Sequence, residues 1–435
     1  MRLAVLLIEV TIACAVAVLA ELGGASLAST DHPAIGYETR PVNNPVAQLN
    51  GKIQDAQVQI RFEGAQGYLR SLLDRLGISI ESQMVVFSKT SLQMHLINPH
   101  NPRTIFFNDR VAVAWVPGEQ FIEIAAEDSR QGVIFYTLDQ KPEQRPTFIR
   151  HNECLICHES YSTLGVPGMQ IRSVFPAPDG RQMRQFGDYT SDHRSPFEER
   201  WGGWYVTGKQ LPTRHMGNAI VTGPDTPEPL SGNPSMESMK VELNSSSYLS
   251  PHSDIVALMT FDHQVQMINL LTRVGWDVRF ALYEERAAQQ LLTGLPGNGG
   301  GLATRLLREG SENLVDYLLF VDEAPLKGRI EGSSGFAEKF TALGPRDRKG
   351  RSLREFDLHR RLMRYPCSYI IYAEAFDELP AAAKDAIYKQ MWGILSGADR
   401  DQKYARLSLA DRQAIVEILR DTKPGLPDYF QPVAR

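Results

Sequence analysis

The hydrophobic pattern of this chain of 435 residues changes period along its length. Between residues 84 and 138, short apolar runs alternate with turn sequences such as Asn108-Asp109 and Pro117-Gly118, which predicts strands joined by tight turns. The predicted strands are 84–87, 103–107, 111–116, 121–124 and 133–138. We therefore expect the first 150 residues to form mostly an antiparallel sheet or a small barrel.

Beyond residue 250 the apolar positions recur at helical spacing. Ser253-Asp254 gives a start signal for a helix over 255–273. Other predicted helices are 58–76, 302–307, 314–320, 353–363, 381–395 and 409–419, and two more predicted strands are 172–175 and 204–207. The chain is thus expected to be α+β, with a β-rich N-terminal half and a mostly α-helical C-terminal half.

The N-terminus has the pattern of an export signal. Arg2 precedes an apolar run over 3–20, and small residues ending in Ser26-Leu27-Ala28 follow it. We expect residues 1–28 to be a signal peptide, and hence a periplasmic or otherwise exported protein. Glu9 interrupts the apolar run, and an uncleaved N-terminal membrane anchor is the alternative.

Composition adds few constraints. Hydrophobic residues make up 43% and charged residues 22% of the chain, which is ordinary for a globular protein. The formal net charge of -5 gives no reason to expect nucleic-acid binding.

The most specific sequence feature is Cys154-Leu155-Ile156-Cys157-His158, a C-x-x-C-H motif. With only 4 Cys and 10 His in the chain, such a match is expected by chance ~0.0008 times. On a helix the two thiols lie one turn apart and can reach the two vinyl groups on one porphyrin edge, with the histidine beneath the iron. A zinc site or a redox disulfide is the alternative, although no second C-x-x-C accompanies this one.

This motif resembles the haem-attachment site of c-type cytochromes. The resemblance implies one covalent haem c, thioether links to Cys154 and Cys157, and His158 as an axial iron ligand. It also agrees with the export signal, because c-type haem is attached after export. Wider stretches, such as 87–92, 200–208 and 248–264, are similar to large exported single-haem proteins, a likeness that implies no activity.

The sixth iron ligand decides whether the iron is closed or open to small molecules. The leading candidates are His193, in an aromatic and arginine-rich stretch, and His215. Further candidates are Met169, Met216, His252 and His263. An open iron is the remaining possibility.

Three functions follow from these patterns. The first is an electron-transfer cytochrome that exchanges single electrons with a redox partner protein. The second is a haem oxidoreductase acting on peroxide or a small organic substrate, with His193 and Arg194 in its pocket. The third is a zinc-containing structural module. Contact with a membrane is expected only through an uncleaved N-terminal segment.

The same patterns predict the domain organisation. After residues 1–28 we expect an extended lead-in at 29–48, a β-rich domain at 49–150 and a haem-binding segment at 151–221. A linker rich in Pro, Ser, Gly and Asn at 222–250 and a helical domain at 251–435 complete it.

Overall fold

The computed structural model describes residues 28–211, 214–223, 247–291 and 301–433. The predicted leader, apart from Ala28, and most of the predicted linker lie outside the described residues. The described part has a β-sheet in its N-terminal half and helices in its C-terminal half, which confirms the predicted α+β class.

Seven strands form one open antiparallel sheet in the order β6-β5-β4-β3-β2-β1-β9. They are β1 (Met84–Val86), β2 (Arg103–Phe107), β3 (Val111–Trp115), β4 (Phe121–Asp128), β5 (Gly132–Asp139), β6 (Phe148–Arg150) and β9 (Trp204–Tyr205). A separate hairpin is formed by β7 (Ile171–Val174) and β8 (Asp188–Ser191). The strands β6 and β8 were not among those predicted.

The α-helices of the described residues lie mostly after the sheet. They are α1 (Pro45–Gln54), α2 (Leu69–Leu76), α3 (Leu155–His158), α4 (Ile255–Leu291), α5 (Gly301–Leu318), α6 (Phe336–Ala342), α7 (Glu374–Asp377), α8 (Ala381–Ser396) and α9 (Leu409–Thr422). Within the described ranges, no helix combines the length and the apolar character needed to cross a bilayer.

The two faces of the sheet are covered differently. On one face, cross-strand neighbours such as Phe106, Val113 and Ile124 are buried together with side chains of α1 and α2. On the other face, Phe107 packs against Phe261 of α4, with ring centroids 4.6 Å apart.

This second face is buried only in part. Phe107 and Ala112 are buried on this face, whereas other residues of the same face are more exposed. Arg103, Ile105, Glu123 and Ala125 are only half-buried there, and we call these four residues the open face. The open face borders the segment that carries the cysteine motif.

Three helix predictions need correction. The helix predicted over 58–76 begins only at Leu69, because Gly64 and Gly67 adopt positive φ and break the pattern. The expected lead-in at 29–48 contains the start of α1, whose first amides are capped by the Asn44 side chain. The helices predicted at 302–307 and 314–320 are one helix, α5.

The helix predicted over 353–363 is wrong. The Asp357 carboxylate accepts hydrogen bonds from the amides of His359 and Arg360 and so closes a local turn. Leu358 lies in the left-handed region at φ 55°, which ends any helix. A helical spacing of apolar residues was therefore overridden by local turn bonding.

Candidate functional site

The cysteine motif lies on one helical turn that directly follows the sheet. A 3-10 turn over Asn152–Cys154 continues into α3. Cys154 is half-buried, Cys157 is exposed, and both thiols are free. Because residues three apart share a helix face, both sulfur atoms face the same side of the turn.

Contacts to the sheet fix the orientation of this turn. The backbone amide of His151 donates to the Phe135 carbonyl at 3.0 Å, and His151 Nε2 lies 2.9 Å from Thr137 Oγ1. Arg150 donates to the Tyr37 carbonyl at 2.7 Å, with its guanidinium over the Tyr37 ring. The motif is thus attached to β5 and to the N-terminal segment through the residues just before it.

His158 is held by one ring nitrogen and leaves the other without a bond. Its Nδ1 lies 2.9 Å from the Gly168 carbonyl oxygen, and its ring centroid lies 4.6 Å from that of Phe135. Since a carbonyl only accepts, Nδ1 carries the hydrogen and the lone pair is on Nε2. Burial lowers the pKa of His158, which favours this neutral form. No described residue forms a hydrogen bond with Nε2.

Gly168 has this role because of the close packing around it. A Cβ at this position would lie 2.2 Å from Asn269 Oδ1 of α4. Asn269 in turn donates to the Met169 carbonyl at 2.8 Å, and the Gly168 amide donates to the His158 carbonyl at 2.9 Å. The segment Gly168–Met169, which binds His158, is therefore packed closely against α4. Only glycine fits at position 168, because a Cβ there would collide with Asn269.

The open face contributes a buried ion pair beside the motif. Arg103 Nη2 lies 2.8 Å from Glu123 Oε2, and both side chains are largely buried. Burial, with Glu123 as the next cause, raises the pKa of the Cys154 thiol to about 11. Arg103 Nε is buried and has no hydrogen-bond acceptor among the described residues. This guanidinium can therefore still accommodate an anionic group.

Exposed apolar side chains occur within the motif, next to it in sequence and on the loop that is bound to Glu123. Ile156 is 83% exposed and Tyr161 77%, and Leu92 and Met94 are each 54% exposed. Ile149, on β6 just before the motif, is exposed too. These five residues, which we call the apolar rim, are the majority of the large exposed apolar residues in the described ranges. Clustering of this kind marks a binding surface more often than scattered exposure does.

These properties argue against the two other uses of the cysteine pair. Reactive redox cysteines have lowered pKa values, whereas that of Cys154 is raised. In the part of the chain that the structure describes, no three His, Cys, Asp or Glu side chains converge so that they could hold a metal ion. A zinc site with four protein ligands therefore finds no support there.

The first predicted sixth-ligand candidate, His193, lies in a closed interior cluster. Its Nδ1 is 2.7 Å from Nδ1 of His263, and its ring stacks on Tyr317 at 4.0 Å and on Phe320 at 4.9 Å. We call these four residues the His193 cluster. Arg194, the predicted charge partner, is bound to Asp192. Neither hydrogen bonds nor ring contacts connect the described His193 cluster to α3.

The second candidate, His215, is also buried. Its ring lies edge-on to Trp201 at 5.7 Å, and burial lowers its pKa to about 4. Met216 is buried beside it, with its sulfur 3.5 Å from Ser173 Oγ. The structure thus places both predicted histidines among interior contacts, and their role as iron ligands stays a prediction.

Sequence reasoning missed the residues that frame the motif: Met94, Arg103, Glu123 and Gly168. Gly168 was noted only as part of a break after the motif. The other three come from strands and a loop far away in sequence: register aligns Glu123 with Thr137, Arg103 pairs with Glu123, and the loop that carries Met94 is bound to Glu123. Nothing local in the sequence marks them.

No protein-family model matches this chain, and no curated protein or solved structure shows significant similarity to it.

Proposed function

We propose that this chain is an exported c-type cytochrome that binds one haem covalently through Cys154 and Cys157, with His158 Nε2 on the iron, and exchanges single electrons with a redox partner protein. The observation that carries the proposal is the bond between His158 Nδ1 and the Gly168 carbonyl. A hydrogen bond from the ring nitrogen that does not bind the metal fixes the tautomer and the orientation of a ligating histidine and increases its basicity.

The surroundings of the motif fit a porphyrin in chemistry. The apolar rim provides contact for the macrocycle, and burial of such side chains contributes about 25 cal/mol per Å². The unpaired Arg103 Nε can donate to a propionate carboxylate. Bound haem supplies an Fe(III)/Fe(II) couple.

The exposure of the motif supports electron transfer. Cys157 and Ile156 are both exposed, so one edge of a group attached there would be close to the protein surface. A partner protein could then approach that edge without any opening of the fold. His158 is bound to the Gly168 carbonyl, and Asn269 of α4 binds the next carbonyl, that of Met169; a histidine oriented in this way would keep reorganisation of the iron ligand small.

Export is part of the same proposal, because thioether attachment of haem takes place outside the cytoplasm. The signal that motivates it, residues 1–28, lies almost entirely outside the described residues. A partly retained N-terminal anchor would place the same cytochrome on a membrane surface.

The test is a pyridine haemochrome assay with a resting-state absorption spectrum, on full-length protein matured with the c-type assembly machinery. We expect one haem per chain with a c-type haemochrome and a low-spin spectrum in both redox states. The Cys154→Ser and Cys157→Ser double variant is the control and should be colourless. A high-spin spectrum that changes on adding cyanide or peroxide would favour an oxidoreductase instead. Colourless wild-type protein would refute the proposal.

A further inference from the structure

The loop over 91–96 is bound to the open face, although it is about 60 residues from the motif in sequence. The amide of Leu92 donates to Glu123 Oε1 at 3.1 Å. Glu123 is the carboxylate of the open face, and its cross-strand partner Thr137 lies 2.9 Å, Oγ1 to Nε2, from His151, three residues before Cys154. The loop is therefore bound to the same carboxylate that borders the proposed haem position.

The loop has a defined conformation. Gln93 is buried, and its side chain donates to the Phe121 carbonyl at 2.9 Å and accepts from the Gln120 amide at 3.1 Å. The amide of Met94 donates to the Ser91 carbonyl, and that of Ile97 donates to the Met94 carbonyl. Because Gln93 points inward, its neighbours Leu92 and Met94 point outward. The hydrogen bonds of the loop keep these two side chains exposed.

An outward methionine at this position has a chemical use. Thioether sulfur is a common axial ligand of low-spin haem iron and raises its reduction potential. We infer that Met94 supplies the sixth iron ligand, opposite His158, on an iron closed to small molecules. This inference rests on the proposed function, since it requires haem on Cys154 and Cys157.

The alternatives for this position are less well supported by the contacts. His151 is near the motif, but both of its ring nitrogens are bound, to Thr137 and to Glu153. His193 is bound to His263 in the interior. His95, next to Met94, is exposed and becomes the matched control.

The experiment compares Met94→Leu, Met94→His, His95→Gln and Met216→Leu in the full chain matured with haem. We expect Met94→Leu to keep its haem but to lose the sulfur-to-iron charge-transfer band and become high-spin in the ferric state. Met94→His should return a low-spin spectrum with a lower midpoint potential than wild type. His95→Gln and Met216→Leu should both keep the wild-type spectrum.

The outcomes separate this inference from the proposed function. If Met94→Leu keeps the wild-type band, or if His95→Gln loses the low-spin state instead, the assignment of Met94 is wrong while the haem site stands. If the spectrum of the ferric wild-type protein lacks the sulfur-to-iron charge-transfer band, the assignment of Met94 is also wrong. Protein without haem overturns both. Because Met94 and His95 are exposed, the far-UV circular dichroism of their variants should match that of wild type.

Discussion

The surface around Cys154 and the interior around His193 contain the same kinds of side chain but use them differently. At the surface, His158 has one bound and one free ring nitrogen, Arg103 has an unpaired Nε, and the apolar rim is exposed. In the interior, His193 is stacked on Tyr317 and bound to His263 through Nδ1, and its Nε2 is buried without a hydrogen-bond partner among the described residues. The surface therefore exposes apolar side chains and one free imidazole nitrogen, whereas the interior encloses its histidines in close packing.

This difference shows which signals identify a site in such a chain. Histidine, arginine and aromatic residues are dense around residue 193, which made that segment the leading candidate for the sixth ligand. Their density there is explained by contacts within the fold. Exposure of large apolar side chains near the motif is the more useful signal, because folding alone does not account for it.

The largest expected effect comes from His158→Ala. Removing the free imidazole nitrogen should lower the haem content strongly, and any remaining haem should lose the wild-type low-spin spectrum, because the iron would lose its proposed histidine ligand. The polypeptide should still fold, since His158 contributes one hydrogen bond and one ring contact. Haem content per chain and the absorption spectrum measure this. An unchanged haem content and absorption spectrum would show that His158 is not an iron ligand.

The next largest effect should come from His193→Ala, with the opposite outcome. Emptying the buried space beside Tyr317 and leaving His263 Nδ1 without its partner should lower the free energy of unfolding by about 3–5 kcal/mol. Haem content and spectrum should not change. Denaturant unfolding, with His95→Gln as an exposed-histidine control, measures this. A changed spectrum at full haem content would indicate that His193 ligates the iron. The interior around His193 would then be part of the haem site.

A smaller, pH-dependent effect is expected at His215. Burial lowers its pKa to about 4 in the folded protein, below the ordinary value of 6.5. Between these pH values the unfolded chain binds a proton that the folded chain does not, so this contribution to stability is complete above pH 6.5 and is lost as the pH falls towards 4.

The measurement is the free energy of unfolding of wild type and His215→Gln at pH 7 and pH 4. Since one pKa unit corresponds to about 1.4 kcal/mol, wild type should lose up to about 3 kcal/mol more than the variant on acidification. His95→Gln again serves as the exposed control and should parallel wild type. Equal losses in wild type and His215→Gln would show that His215 is not buried in its neutral form.

The sequence predicted the local parts of this molecule well. The strands near residues 84–138 and the helical turn of Cys154 to His158 depend on neighbouring residues, and both patterns were recognised. The helices expected at 58–76 and 353–363 failed, in whole or in part, for local reasons as well. Gly64 and Gly67 broke the first, and the turn bonding of Asp357 replaced the second.

The frame of the site could not be predicted in the same way. Strand register aligns Glu123 with Thr137, which holds His151, and β2 brings Arg103 to Glu123. These are long-range pairings, and a single sequence does not specify them. The closed state of His193 likewise depends on α4 and α5, which carry His263 and Tyr317.

The most direct test is mass spectrometry of tryptic peptides from protein exported and matured with the c-type assembly machinery. Cleavage after Arg150 and Arg172 releases one peptide, 151–172, that contains both Cys154 and Cys157. We predict that this peptide carries the mass and the absorbance of one haem, with neither cysteine open to alkylation. Recovery of the same peptide without haem and with both cysteines alkylated would contradict the account.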